Sequence, residues 1–175
     1  SMEYIFTLKY QLAADDKDQD TLVERLGAAG CDDALIGVGL PGRLALEFTR
    51  EADSAGAAMR SALADVRQVI PGATLIEAAP DLVGLSDMAE VVGVSRQNMR
   101  KLMLTWPGGF PAPVHEGSRS LWHLADGLCW LQEKGNYRLT QSILDVAEVA
   151  MQVNAVKAAR RLSPQASGDF DLLIR

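Results

Sequence analysis

In the stretch Leu85-Ser86-Asp87-Met88-Ala89-Glu90-Val91-Val92-Gly93-Val94-Ser95-Arg96-Gln97-Asn98-Met99-Arg100-Lys101-Leu102, the spacing predicts two short helices that meet at a glycine. Ser86 is placed to cap the first helix by accepting a backbone N–H bond. Met88, Val91 and Val92 fall on its inward face, and Ala89 is small enough to let a second helix approach closely. Gly93 supplies the positive φ that a tight inter-helix turn needs. Val94 plugs the turn and Ser95 caps the second helix, expected over residues 95–103, which Met99 and Leu102 pin to a core. Arg96, Gln97, Arg100 and Lys101 are left together on one polar face, with no carboxylate between Gly93 and Leu102. This is the pattern of a helix-turn-helix whose second helix carries side chains suited to phosphates and to base edges in the major groove. Arginine and lysine can donate to guanine O6 and N7, and Gln97 can pair with adenine N6 and N7.

Charge is distributed in a way that supports this. The chain has 175 residues and a net charge of −6, which taken alone argues against a polyanionic partner. Residues 1–84 hold 7 Lys and Arg against 14 Asp and Glu, residues 85–138 hold 6 against 5, and residues 139–175 hold 4 against 4. The acid is thus concentrated in the first half, and a boundary falls near residues 80–84. We expect three units, at 1–80, 82–138 and 139–175. With 48% hydrophobic residues the chain can build a packed core. No run is long and apolar enough for a membrane span, and the start lacks a basic region followed by an apolar core. A cytoplasmic protein without membrane association is expected. Cys31 and Cys129 match no metal or redox spacing and read as two buried thiols.

Before the boundary the chain reads as strand, helix, strand, strand, helix, strand. Tyr4, Phe6, Leu8, Tyr10 and Leu12 alternate with more polar positions, the period of a half-buried strand. After an acidic loop, Asp15-Asp16-Lys17-Asp18, a helix carries Leu22, Val23, Leu26 and Ala29 and stops at Gly30. Ala34 to Leu40 and Arg43 to Thr49 flank Pro41-Gly42, the composition of a type II turn. A second helix runs from Ser54 to Ile70 with Met59, Leu63, Val66 and Ile70 on one face, and Ala73 to Ala78 is the last strand. The order βαββαβ predicts a ferredoxin-like arrangement, so the fold class is α+β. This acidic unit is read as a module that senses a small-molecule effector, binds a protein partner, or dimerises.

Beyond the helix pair, a Gly/Pro-rich stretch leads to Val114-His115 and Ser120-Leu121-Trp122, a short strand pair whose turn carries Arg119 at its tip. Arg119 is placed to reach phosphate or the minor groove. Trp106, Trp122 and Trp130 are expected as core aromatics. His115 and His123 flank the same turn, and two histidines at that spacing, with no cysteine nearby, read as structural or surface residues. Leu124, Leu128 and Leu131 mark a helix ending at Gly135. A last long helix, Thr140 to Leu162, is apolar over so broad a surface that a dimer contact is its expected destination. Ser163 to Gly168 reads as a frayed polar tail, and Asp169 to Arg175 as a segment that docks as a strand or hangs free.

The residues Leu82 to Leu102, then Phe110-Pro111-Ala112-Pro113, Gly117 to Trp122, and Leu124-Ala125-Asp126 through Trp130-Leu131, resemble the excisionase/AlpA-type branch of the MerR-like winged-helix proteins. The resemblance covers about 50 residues, Leu82 to Leu131. It implies a bacterial or phage-type DNA-binding regulator. Residues 1–80 resemble no family. No Walker motif, nucleophile elbow or His-Glu-x-x-His is present, and the acidic loop lacks the glycine and final glutamate of a calcium loop. The expectation is therefore no catalytic residue, cofactor or metal. A sequence-specific, dimeric transcription regulator is expected, with double-stranded DNA as partner and Ser95, Arg96, Gln97, Arg100, Lys101 and Arg119 as contact residues. The alternatives are an architectural, excisionase-type bending factor and an antitoxin-like adaptor that autoregulates its operon.

Overall fold

A computed structural model describes residues 1–16 and 18–175, so Lys17 of the expected acidic loop lies outside the described residues. The first part contains β1 (Met2–Gln11), α1 (Gln19–Ala28), β2 (Ala34–Gly37), β3 (Arg43–Ala52), α2 (Ala55–Val69) and β4 (Thr74–Ala79). The strands form one antiparallel sheet in the order β2-β3-β1-β4. Alternation decides its two faces. Tyr4, Phe6, Leu8 and Tyr10 of β1 and Leu44, Leu46 and Phe48 of β3 are buried beneath the helices, whereas Ile5 and Glu47 face out. Pro41-Gly42 makes the β2–β3 turn: Gly42 has φ +77° and Arg43 N donates to Leu40 O at 3.0 Å. Asp18 caps α1 and Ser54 caps α2. Met59, Val66 and Ile70 are buried as their spacing predicts, with Leu63 packed at the margin.

A second core gathers around β5 (Leu82–Val83), α3 (Leu85–Val92), α4 (Arg96–Thr105), β6 (Trp122–His123) and α5 (Leu124–Lys134). β5 pairs with β6, and a single bridge, His115 to Leu121, joins the chain on either side of the Glu116–Arg119 turn. Gly127 lets α5 approach α3: a Cβ there would come within 2.6 Å of Met88 Sδ. Phe110 packs edge-on against Trp122 and Trp130, and Trp122 Nε1 donates to Pro111 O at 2.9 Å. Trp106 departs from expectation. It is 46% exposed, with Lys134 Nζ 3.5 Å from its ring centroid, because it follows the last turn of α4 and faces the cation rather than the core. Cys129 is also exposed, on the outer side of α5, while Cys31 is buried and its thiol pushed up in pKa by that burial.

α6 (Gln141–Ala159) packs against both cores. Much of its apolar surface, expected at a dimer contact, is used within the chain, while Ile143 and Val156 stay exposed. Val146 and Ala150 are buried in the first core, with Val149 and Val153 packed against it, and Ala147 is buried in the second. A helix wedged between two cores must be apolar on two faces, which explains a surface too broad for one. Asn154 on α6 joins the two parts. Its side-chain amide accepts from Ala78 N and donates to Ala78 O, both at 2.8 Å, and also donates to Asp81 Oδ2 at 2.8 Å. Asp81 is 2% exposed, with Oδ1 2.6 Å from His123 Nδ1, and its carbonyl accepts from Leu124 N. After α6 the chain forms α7 (Ala166–Phe170) and a 3-10 turn rather than a strand, with Phe170, Leu172, Leu173 and Ile174 exposed.

Candidate nucleic-acid interface

The helix pair is built from local signals. Gly84, not Ser86, is the N-cap of α3, and the Asp87 carboxylate accepts from Gly84 N at 3.2 Å. Ser86 therefore sits inside the first turn. Gly93 ends α3 in the left-handed region at φ +82°, and the N–H of Val94 bonds back to Ala89 O at 3.0 Å. Ser95 Oγ accepts from Asn98 N at 3.1 Å and starts α4. Met88 and Met99 are fully buried, locking the two helices face to face.

That burial fixes what α4 presents. At about 100° per residue, Met99, Leu102 and Met103 occupy the inward side, and Arg96, Arg100, Leu104, Gln97 and Lys101 follow one another around the outer arc. Arg96, Gln97, Arg100 and Lys101 are all exposed. Among the described residues no ion pair involves any of them or Arg119.

A cleft of about 970 Å³ lies between α4, the start of α3 and the segment from Phe110 to Trp122. Arg96 and Arg100 line one side, and Arg119 and Ser118 line the other. The structure thus brings together three of the expected contact residues from positions 23 apart in the chain (119 − 96). Gln97 and Lys101 lie further round α4, outside the cleft, and Ser95 is engaged as the helix cap. Two carboxylates, Asp87 and Glu116, also line the cleft, but Asp87 is held by the Gly84 N–H. Leu104 is 62% exposed and lines the cleft one turn beyond Arg100. It was not singled out from sequence, although its place four residues after Arg100 put it on the same face.

A second polar concavity, around Arg50, is of a different kind. Arg50 Nε and Nη2 grip the two oxygens of Asp33 at 2.8 and 3.0 Å, Nη1 donates to Asp65 at 2.8 Å and Ser61 at 3.1 Å, and Nη2 donates to Gly30 O at 2.8 Å. The bonds to Asp33 hold the guanidinium proton still more firmly than usual. All five donors are used, so the cluster ties α1, β3 and α2 together and has no donor left for a ligand. Among the described residues no group of His, Cys, Asp and Glu is arranged to hold a metal ion, and no helix is long and apolar enough to cross a membrane. No protein-family model, curated protein or solved structure matches the chain.

Proposed function

We propose that this chain is a sequence-specific DNA-binding protein, a dimeric transcription regulator in which α4 enters the major groove and the Glu116–Arg119 turn acts as a wing. The observation that carries the proposal is the single cleft lined by Arg96 and Arg100 on one side and Arg119 on the other, with none of the three in an ion pair among the described residues. Unpaired arginines held on rigid elements are preorganised donors for phosphate and guanine. An α-helix with side chains, about 10–12 Å across, matches a major groove about 12 Å wide. The turn at Gly93, the Ser95 cap and the small β5–β6 pair support a winged helix-turn-helix, and the strand order β2-β3-β1-β4 beneath α1 and α2 supports a ferredoxin-like first unit. Gln97 and Arg100 would read bases, with Arg96, Lys101 and Arg119 on the backbone.

Selection from random duplexes at two salt concentrations, with sequencing of the bound fraction, tests this beside a Gln97→Ala/Arg100→Ala variant. One enriched motif, weakened in the variant by about 1–3 kcal/mol per lost base contact, is expected. Binding without enrichment that fades steeply with salt would indicate an architectural factor instead. A folded chain that binds no duplex would overturn the proposal.

A further inference from the structure

The two edges of the sheet are treated differently. At β4, the amide of Asn154 pairs with both Ala78 N and Ala78 O, as a neighbouring strand would, and occupies that edge at Ala78. At β2, β3 is the only paired neighbour among the described residues. Thr49 N donates to Asp33 O at 3.0 Å, so alternation directs the odd-numbered residues toward β3 and turns the N–H and C=O of Ile36 outward. Among the described residues no hydrogen bond outside the β2–β3 ladder involves the Ile36 backbone. An open edge is a template for another strand, and proteins guard it with charge, proline, a bulge or, as at four-residue β2, a short strand. Here Ala34 to Gly42 carries no charged side chain, no bulge interrupts the β2–β3 pairing, and Pro41 lies beyond the strand.

From these observations we propose that the β2 edges of two copies pair antiparallel about a two-fold axis at Ile36, joining two four-stranded sheets into one of eight. Three features select a second copy as the occupant. Antiparallel pairing of a strand with itself satisfies both outward groups of Ile36 by symmetry. The same register sets Leu35, 75% exposed, beside Gly37 of the second copy; a Cβ on Gly37 would have no neighbour nearer than Ala45 O at 3.9 Å. The absent side chain therefore leaves room for the leucine on both sides of the axis. Charge completes the case. In a half of the chain with 7 basic and 14 acidic residues, Ala34 to Val38 carry no charge, so this register sets no like charges opposite one another across the axis. Val38 and Leu40, also exposed, extend the apolar contact. The inference rests on the dimeric part of the reading above and moves the contact from α6 to β2.

Sedimentation of the full chain without DNA, from low-micromolar to near-millimolar concentration, is the test. A concentration-dependent dimer is expected, with the Ile36 amide exchanging more slowly as the dimer fills. Leu35→Lys/Val38→Lys alters two exposed side chains and should leave the circular dichroism unchanged while abolishing the dimer. A wild-type chain that stays monomeric throughout overturns the inference, as does a dimer that survives the double substitution. A β2 dimer that binds no duplex would leave this inference standing and overturn the DNA-binding reading. Conversely, a chain that stays monomeric over the whole concentration range and still binds duplex would overturn the inference and spare the DNA-binding reading.

Discussion

Arg50 and the arginines of α4 are the same side chain in opposite circumstances. Arg50 is 8% exposed and makes five hydrogen bonds to Asp33, Asp65, Ser61 and Gly30. Arg96, Arg100 and Arg119 are exposed, line a shared cleft, and have no carboxylate partner among the described residues. The first is bound by its own protein and cannot serve a ligand. The others sit on elements held in place by the buried Met88 and Met99 and by the β5–β6 pair, and among the described residues they form no ion pair. An arginine thus points to a binding surface only when the fold around it withholds its carboxylates. The acidic first half supplies them to Arg50; the stretch from Gly93 to Thr105 contains none, and of the two carboxylates that line the cleft Asp87 is engaged by Gly84 N and Glu116 forms no ion pair among the described residues.

Arg50→Ala leaves Asp33 and Asp65 without their cation and should cost about 3 kcal/mol in urea unfolding, the low end for a broken buried pair because both carboxylates are partly solvated. DNA affinity per folded molecule should not change, and a selective loss of binding would show that Arg50 and α4 are not independent. Arg119→Ala should do the reverse. Stability should stay within about 0.5 kcal/mol of wild type, while binding weakens across all sequences and the salt slope falls by about 1. A loss confined to one motif would assign Arg119 to base reading. The smallest effect is expected at Asp18, an exposed cap whose carboxyl is held below its ordinary range chiefly by the Thr21 hydroxyl bond at 2.7 Å. Its contribution is present above the ordinary carboxylate range and disappears as pH falls through the lowered value. The unfolding midpoint of Asp18→Asn should therefore be less pH-dependent than wild type in acid, and an unchanged acid profile would remove Asp18 from the account.

Much of this molecule could be read from short-range pattern. Alternation in Tyr4 to Leu12 marked β1, Pro41-Gly42 marked the β2–β3 turn, and Gly93 with Ser95 marked the α3–α4 junction, because each rests on backbone chemistry within a few residues. The exposed positions Arg96, Gln97, Arg100 and Lys101 followed from the same periodicity. Contacts between distant segments left no such mark. Whether Arg119 faces Arg96 depends on how β5 pairs with β6. The two bonds of Asn154 to Ala78 span 76 positions, and no local propensity signals them. The apolar breadth of α6 was legible, but its destination was not, since a helix packed between two cores and one packed in a dimer present the same periodicity. Sequence alone determined which elements form and which side chains point outward, through forces acting over one or two turns. Only the tertiary structure decided which of those elements meet, because that choice depends on burial shared between segments far apart in the chain.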